Sequence, residues 1–392
     1  MTERRRIVVL GGMAQMPYAG IAWQVLHFLE GFRRLGHEVV YVEDTGSWPY
    51  DPDRYAYTDD AGPAVRRLER IMRRVGLGDR WGYRDVSRDG AIWGMSAEAF
   101  TAALAEAEVL VNVSGMTILG EEHMAAPVRI YVETDPVTPQ LGVARGEQGP
   151  IDYLAAHTAL FSFGERIGRP GCPLPVEPFQ YLPTRQPVVL DWWEPAGDFP
   201  EPPAEMRFTT VGTWEHTHRD VEWEGETYTW TKSVEFLKLL DVPRRAGITF
   251  QPAFGLEDEL TRARLEQAGW CVVPAAPLSR DLDRYRAFIC DSAAEFTAAK
   301  DQNVRLRTGW FSDRSATYLA AGRPAVVQDT GFDIALPVGE GLLAFSTADE
   351  AVDALQRLTA DYRRHSRRAR EVAEECFRAE SVLAALLEKA GA

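Results

Sequence analysis

The chain has 392 residues, of which 45% are hydrophobic and 26% charged, and its formal net charge is −15. This length is enough for two domains, and the mixed composition is typical of a globular protein rather than a disordered one. The negative charge argues against nucleic acids and anionic membranes as partners, because their phosphates would be repelled. The four cysteines lack C-x-x-C spacing, so neither a metal centre nor a disulfide framework is expected.

The amino terminus predicts neither a secretory signal nor a membrane span. Residues 1–6 are polar and lead into an apolar run of only four residues, which is too short for either segment. The scattered cysteines agree with a reducing compartment. We therefore expect the protein to act in the cytoplasm.

The first half of the chain alternates predicted strands and helices. Continuous apolar runs predict buried parallel strands at residues 7–10, 39–42, 109–113, 128–132 and 160–163. Apolar residues at helical spacing predict helices at 20–35, 61–75 and 97–106, whereas 77–94 is predicted to be a loop. This alternation predicts a Rossmann-like domain over residues 1–190.

A proline-rich stretch, residues 170–203, predicts an extended linker to a second α/β domain over residues 205–375. In that domain, strands are predicted at 208–211, 248–252, 271–274, 287–290 and 325–328, and helices at 233–240, 257–268, 278–286 and 351–392.

The stretch 309–332 is the most informative part of the sequence. Ser312 predicts a helix N-cap, and Gly322 and Pro324 predict the end of that helix before a short buried strand. Free amides near Ser312 and Ser315, with Arg314 beside them, are suited to an anion, and the turn Asp329-Thr330 lies at a strand end where ligands commonly bind. Taken alone, the same pattern also fits a plain helix–strand unit with good caps.

This stretch also resembles the donor-site unit of the GT-B glycosyltransferases, in which a helix, an A-x-G-x-P segment and a short strand bind a nucleotide-sugar donor. The matching segment here is Ala320-Ala321-Gly322-Arg323-Pro324. The segments 19–24 and 34–39 strengthen the resemblance, which covers nearly the whole chain and extends to bacterial glycosyltransferase-like proteins related to a spore maturation protein.

The resemblance implies an α/β fold in which two Rossmann-like domains face each other across a cleft, with residues 376–392 packing back on the first domain. It implies transfer of a sugar from a nucleotide-activated donor, such as a UDP-sugar, to an acceptor that the sequence leaves open. Many retaining members carry two glutamates eight residues apart. Gly309 and Thr317 stand at those places here, so the donor sugar also stays open.

For the donor, the resemblance implies that the first strand of the second domain ends in a glycine, here Gly212-Thr213. It further implies that an arginine and a lysine reach the pyrophosphate, and Arg219 and Lys232 fit those places. We add Ser312, Arg314, Ser315, Asp329 and Thr330 as donor-binding candidates because they occupy the helix start and strand end described above. A solvated surface position is the alternative for Lys232.

For catalysis, Asp135 is the best candidate for a general base, because Pro136 breaks the chain and projects it from a strand end. Glu133, two residues earlier, is expected on the same face of the strand. Capping of the strand end is an equally good explanation for both carboxylates. His27 lies on a predicted helix, where it is either a second base or a structural, hydrogen-bonded histidine.

Candidates for the cleft and the acceptor come from strand ends and loops of the first domain. They are Gly11, Gly12, Gln15 and Ser114, together with Trp48 and Tyr50, whose rings could stack on a sugar or an aromatic acceptor. The glycine pair lacks the G-x-G-x-x-G pattern of dinucleotide binding, and no cofactor is predicted.

No metal is predicted either. Asp51 and Asp53 form a D-x-D that does not end an apolar strand, and His216 and His218 lack further ligands at suitable spacing. Two alternative functions remain open from the sequence: a non-catalytic nucleotide-sugar-binding or carbohydrate-binding protein of the same fold, and a GT-B nucleotide-sugar epimerase.

Overall fold

The computed structural model describes residues 4–194, 199, 201–216, 219–256 and 258–392. Its strands form two large sheets and two short hairpins. The strands of the first half are β1 Arg6–Leu10, β2 Glu38–Glu43, β3 Tyr50–Asp51, β4 Ala56–Tyr57, β5 Trp81–Asp85, β6 Ala91–Trp93, β7 Val109–Val113, β8 Val128–Glu133, β9 Ala159–Ser162 and β10 Tyr181–Pro183. Those of the second half are β11 Arg207–Thr213, β12 Val221–Trp223, β13 Glu226–Tyr228, β14 Thr249–Gly255, β15 Val273–Pro274, β16 Ala294–Thr297, β17 Ala325–Gln328 and β18 Leu342–Phe345.

Helices lie between most of these strands. In the first half they are α1 Ala19–Arg34, α2 Gly62–Arg74, α3 Ala97–Ala105, α4 Thr138–Ala144 and α5 Gln148–Ala155. In the second half they are α6 Ser233–Leu237, α7 Val242–Ala246, α8 Glu259–Gln267, α9 Ala276–Ser279, α10 Leu282–Cys290, α11 Asp301–Arg305, α12 Asp313–Ala320, α13 Ala348–Ala360, α14 Tyr362–Cys376 and α15 Ala379–Ala390.

Both large sheets are Rossmann-like. The first has the order β10-β9-β8-β7-β1-β2-β5-β6 and is parallel except for the pairing of β5 with β6, and the second has the wholly parallel order β15-β14-β11-β16-β17-β18. In each sheet the next strands along the chain are added on one side of the first strand, and later strands are added on its other side. The strand order therefore reverses between β1 and β7 and between β11 and β16, and such reversals open a crevice at the carboxyl ends of the strands.

Two predictions about local structure are wrong, and both errors have a physical reason. Residues 287–290 are the end of helix α10, not a strand, because a short apolar run fits a buried helix face as well as a strand. The strand is instead β16, whose buried Glu295 hides the apolar pattern. Residues 77–94 contain β5 and the edge strand β6, and this margin of the sheet tolerates the glycines and charges that suggested a loop.

The carboxyl-terminal helices return to the first half of the chain, as the resemblance implied. Helix α15 packs on α1, where Gly31 leaves room for Leu383 and Ala379. The amide of Val188 donates to the carbonyl of Phe377 at 2.7 Å, which fixes the start of this helix beside the end of the first unit. None of the helices in the described part of the chain is long and apolar enough to cross a membrane.

The two units meet where the strands of both sheets end. Gly164, just past β9, forms an antiparallel bridge with Trp310, and the amide of Arg166 donates to the carbonyl of Thr308 at 3.1 Å. Gly309 lies at the centre of this contact with φ of +74°, and a Cβ atom there would lie only 2.6 Å from the amide nitrogen of Arg166. The interface therefore requires glycine at this position.

We expect Gly309→Ala to destabilise the protein, because it combines a strained positive φ with a backbone clash. The two effects together should cost roughly 2–4 kcal/mol of unfolding free energy. Gly36→Ala is the matched control, since Gly36 also has positive φ but nothing lies near its missing Cβ, so that only about 1 kcal/mol should be lost. Chemical denaturation measures both, and equal losses would show that the interface tolerates a side chain.

Candidate active site

The reversal point of the second sheet carries a group of cations. Strand β11 ends at Thr213, and the chain that follows β16 brings Lys300 to the same edge. Lys232, the N-cap residue of α6, also lies there. Beyond the effect of burial, Arg314 and Lys300 lower the pKa of Lys232, and Arg219 lowers the pKa of Lys300. These side chains concentrate positive charge at the crevice expected to bind ligands.

Lys300 connects the two units. Its ammonium forms an ion pair with Asp135, which follows β8 in the first unit, and lies 3.3 Å from the ring centre of Trp230. The Lys300 side chain is 12% exposed and that of Asp135 is 22% exposed. Both charges are therefore shielded from water yet remain open to a ligand.

Lys232 is half-buried, and burial, followed by repulsion from Arg314, holds the pKa of its ammonium well below the ordinary value. Its Nζ lies 5.9 Å from the ring centre of Trp310, and no hydrogen-bond acceptor for it is found among the described residues. A partly desolvated ammonium without an acceptor is unfavourable, and a bound anion would relieve that cost.

Trp230 organises the outer part of this cluster. The guanidinium of Arg219 lies 4.4 Å from its ring centre, and the ring of His216 packs edge-on at 4.6 Å. Partial burial, with Lys300 and Arg219 nearby, lowers the pKa of His216, so that this ring is neutral at physiological pH. The other histidine of the predicted pair, His218, lies outside the described residues.

Arg314 is in the right region but does not face a ligand. Its guanidinium is buried and donates to the carboxylate of Glu295 at 2.6 Å, to the carbonyl of Val211 at 2.6 Å and to the hydroxyl of Thr297 at 3.1 Å. Each of its three nitrogens thus donates at least one hydrogen bond within the second unit. This geometry does not support the predicted contact with a diphosphate; Arg314 instead ties β11 and β16 to α12.

The other candidates from the central stretch are also engaged in folding. Ser312 precedes α12 without a side-chain cap bond, and Ser315 is fully buried. Asp329 accepts from the amide of Gly331 at 2.7 Å and from Arg307 at 3.2 Å, whereas the buried Thr330 donates to the carbonyl of Trp310 at 2.6 Å. The turn thus supports the interface, and none of these four hydroxyl or carboxyl groups joins the lysine cluster.

At the missing glutamate positions, the structure explains the departure from the family pattern. Gly309 has no room for a side chain, and Thr317 is buried with its hydroxyl donating to the carbonyl of Arg314 at 2.7 Å. Gly212 and Thr213 do lie at the open end of β11, and Thr213 is exposed. Both residues pair with β14 on one side, Gly212 with Phe254 and Thr213 with Gly255.

The two acidic candidates in the first unit differ sharply. Asp135 joins the lysine cluster, whereas Glu133 is buried inside its own unit, where Gln140 donates to both carboxylate oxygens at 2.8 and 2.9 Å and Ser162 donates at 2.7 Å. Burial raises the pKa of Glu133 to about 7. This geometry does not support Glu133 as a base, because none of its carboxylate is exposed to an acceptor.

His27 is also structural by its geometry. Its Nδ1 faces the amide of Val189 at 3.1 Å and its Nε2 faces the indole N–H of Trp193 at 3.0 Å. Burial lowers its pKa to about 3, so the ring is neutral and can accept only one of these bonds at a time. Since both nitrogens are occupied by these groups, His27 is not positioned to take a proton from an acceptor.

The loop after β1 binds a carboxylate of the protein itself. Glu43, at the end of β2, accepts from the amides of Ala14 and Gln15 at 2.8 and 2.5 Å and from the hydroxyl of Tyr41 at 2.7 Å. Gly11 and Gly12 are buried under Tyr41 and Met116, respectively. The amides that a cofactor phosphate would use are therefore already satisfied.

Ser114 marks the reversal point of the first sheet. It adopts a positive φ of 58°, and its hydroxyl lies 2.8 Å from both the side-chain oxygen of Gln24 and the hydroxyl of Thr134. This small polar cluster lies next to the strand end that carries Asp135. Its position agrees with the predicted role in the cleft.

The aromatic loop remains partly open to solvent. Trp48 is 49% exposed, and Tyr50 packs between Tyr18 and Tyr57 with ring centres 6.1 and 5.5 Å apart. Trp48 is thus free to stack on another molecule, whereas Tyr50 is engaged with its neighbours. Within the part of the chain that the structure describes, no group of three or more His, Cys, Asp or Glu side chains is arranged to hold a metal ion.

The site residues predicted from the sequence did not include Lys300, Trp230 or His216. Lys300 has the same local setting as Lys232, because each of these lysines directly precedes a helix. Trp230 gave no comparable signal, because a tryptophan in a polar loop fits a core position as well as a site. Only the folded structure brings these side chains to Asp135.

Arg314→Ala should unfold more easily than the parent, because it leaves Glu295 buried without its positive partner. We expect a loss of about 3–5 kcal/mol. Adding Glu295→Gln to that variant should recover part of the loss by removing the uncompensated charge. Melting temperatures of the ligand-free proteins measure this, and an unchanged melting temperature for Arg314→Ala would return Arg314 to the ligand-binding candidates.

Glu133 makes stability depend on pH. Its pKa is about 7 in the folded state and near 4.5 in an unfolded chain, so between these values the folded state binds more protons. The free energy of unfolding should therefore fall as pH rises from about 5 to 7, by roughly 2–3 kcal/mol from this group. Glu133→Gln should flatten the profile of unfolding free energy against pH, whereas Glu69→Gln, on the surface of α2, should leave that profile unchanged. Parallel profiles for the parent and both variants would contradict the raised pKa of Glu133.

Comparison with known proteins identifies the fold. No protein-family model matches the chain, and no curated protein matches it by sequence. Among solved structures, the chain is similar to AviGT4, a glycosyltransferase involved in avilamycin A biosynthesis, with a TM-score of 0.54 and 14% identity over 98% of this chain and 96% of that one.

Two other similar structures contain ligands. An alpha-glucosyltransferase in complex with UDP-glucose and DNA has a TM-score of 0.61 and 11% identity, and each chain is covered in full. HepE from Anabaena, in complex with UDP and glucose, has a TM-score of 0.53 and 9% identity over 98% of this chain and 99% of that one. The chain therefore has the two-unit α/β fold of the GT-B glycosyltransferases.

Proposed function

We propose that the protein transfers a glycosyl group from a nucleotide-activated sugar to an acceptor. The observation that carries this proposal is the half-buried ammonium of Lys232 at the reversal point of the second sheet, for which the described part of the chain provides no hydrogen-bond acceptor. A diphosphate has the charge and oxygen atoms that this position lacks. Structures of similar fold contain UDP or UDP-glucose, which supports the same class of donor.

In this proposal, residues 205–375 hold the donor. Lys232 binds the diphosphate, Arg219 approaches it from the outer face of Trp230, and the backbone at Gly212-Thr213 lines the site. Departure of the nucleoside diphosphate builds negative charge on the leaving oxygen. Preorganised cations in a shielded cleft stabilise that charge, so that no metal ion is needed.

Residues 1–190 hold the acceptor. Asp135 is the proposed base, because among the acidic candidates its carboxylate is the one that joins the cation cluster. Ser114, beside Gln24 and Thr134, and the exposed Trp48 are suited to orient an acceptor by hydrogen bonding and stacking. Glu133 and His27 have no part in this mechanism.

We favour transfer over the two alternatives. Similar structures include proteins described as glycosyltransferases, whereas neither an epimerase nor a non-catalytic binding protein has such support. One of those transferases was crystallised with DNA, but the net charge of −15 here favours an acceptor other than a nucleic acid. Four free thiols are consistent with action in the cytoplasm.

Binding of UDP provides the first test. UDP should raise the melting temperature of the protein by mass action, and Lys232→Ala should weaken UDP binding about ten- to a hundredfold, the range expected for a lost charge-assisted bond. Lys389→Ala, on the exposed face of α15, is the control and should bind UDP like the parent. Equal affinity of all three proteins would remove Lys232 from the donor site.

Turnover provides the second test. Release of UDP from a UDP-sugar only when an acceptor is added would establish transfer, and EDTA should not abolish it. Interconversion of the sugar without an acceptor would instead establish an epimerase. Binding of UDP-sugars without either reaction, across a broad acceptor panel, would favour the non-catalytic alternative.

A further inference from the structure

The ion pair between Lys300 and Asp135 has the features of a contact that a bound ligand can replace. It joins the two units across the cleft at the reversal point of the second sheet, where the cations gather. One carboxylate oxygen of Asp135, Oδ1, is buried but has no hydrogen-bond partner within the described ranges of the chain. An unpaired buried oxygen is costly, so this pair is not an optimised structural salt bridge.

The backbone on both sides of Asp135 is fixed independently of its side chain. The indole N–H of Trp310 donates to the carbonyl of Thr134 at 2.8 Å, and the side-chain amide of Gln302 donates to the carbonyl of Pro136 at 3.0 Å. The strand end therefore remains attached to the second unit when the carboxylate is released. Only rotation of the Asp135 side chain is needed to open the contact.

The charges around Lys300 favour an anion stronger than one carboxylate. Lys232 and Arg219 are close enough to affect the titration of the groups in this cluster, and Asp135 is the carboxylate in direct contact with it. Burial lowers the pKa of Lys300, while Asp135 opposes that effect. Apart from Arg314 and Glu295, which pair with each other, the cations of Lys232, Lys300 and Arg219 face two carboxylates, those of Asp135 and Asp313. The remaining excess of positive charge is one that a diphosphate would neutralise better.

We propose that the Asp135 carboxylate occupies the anion position of the donor diphosphate in the ligand-free protein, and that the arriving diphosphate takes Lys300 from it. This inference rests on the proposed function and extends it by assigning Lys300 to the donor site. It also gives Asp135 two successive roles, first as an internal competitor for the donor and then as the base.

The exchange activates the base only when the donor is present. While the Asp135 carboxylate is held by Lys300, it is not free to contact an acceptor hydroxyl, and loss of that pair frees it to do so. Asp135 then takes the proton of an acceptor hydroxyl as its oxygen attacks the anomeric carbon and the bond from that carbon to the diphosphate oxygen breaks. The electron pair leaves with the nucleoside diphosphate, Lys300 stabilises the new charge, and Asp135 returns its proton to water.

The test uses UDP titration by calorimetry with four full-length variants. Asp135→Asn keeps the shape of the side chain but removes the competing charge, so it should bind UDP about tenfold more tightly than the parent while losing transfer activity. Lys300→Gln should bind UDP about tenfold more weakly. In the double variant, the gain from Asp135→Asn should largely disappear, because the contested cation is absent.

Asp283→Asn is the matched control. Asp283 also forms an ion pair between the units, with Arg74 at 2.6 Å, but lies on α10 and not in the cation cluster. It should bind UDP like the parent. A general loosening of the interface would change UDP affinity in both aspartate variants, whereas release of Lys300 changes it only in Asp135→Asn.

The outcomes separate the two claims. If the parent binds UDP and Asp135→Asn binds it equally or more weakly, the inference is overturned while the proposed function stands. If Asp135→Asn gains affinity and the double variant keeps the whole gain, Lys300 is not the contested cation and the inference is again overturned. If the folded parent binds no nucleoside diphosphate at millimolar concentration, the proposed function and the inference fail together.

Discussion

The buried ion pair between Arg314 and Glu295 is the interaction on which the site depends. One guanidinium joins the first strand of the second sheet, the neighbouring strand β16 and the helix α12 that follows the interface. It lies beneath Gly212, at the point where the strand order reverses. Because three elements share one buried charge pair, the backbone that borders the cleft is held in a single arrangement.

This internal use of charge leaves the remaining cations free for a ligand. Arg314 is neutralised by Glu295 within the fold, and Lys300 is paired with Asp135 from the other unit. Lys232 has no acceptor within the residues that the structure describes. The first unit shows the opposite case, since Glu43 occupies the loop amides after β1. The protein thus closes one potential anion site with its own carboxylate and leaves the other available.

The interface adds a further constraint. The strand ends of both sheets meet there, and Gly309 allows the two backbones to approach where a glutamate is common in related folds. A carboxylate at this place would have to displace Arg166. The close approach of the two units at this place therefore depends on glycine.

The sequence by itself determined the two α/β units, most of their strands and the helix–strand unit around Gly322, because apolar runs, caps and turn residues act locally. Lys232 and Asp135 were candidates from the sequence, because they directly precede or follow regular elements. Only the tertiary structure determines which charged side chains are paired within the protein. Arg314 and Lys232 both lie at the start of a helix, but Glu295 accepts a hydrogen bond from Arg314 and not from Lys232, and only the meeting of distant strand ends joins Lys300 and Trp230 to Asp135.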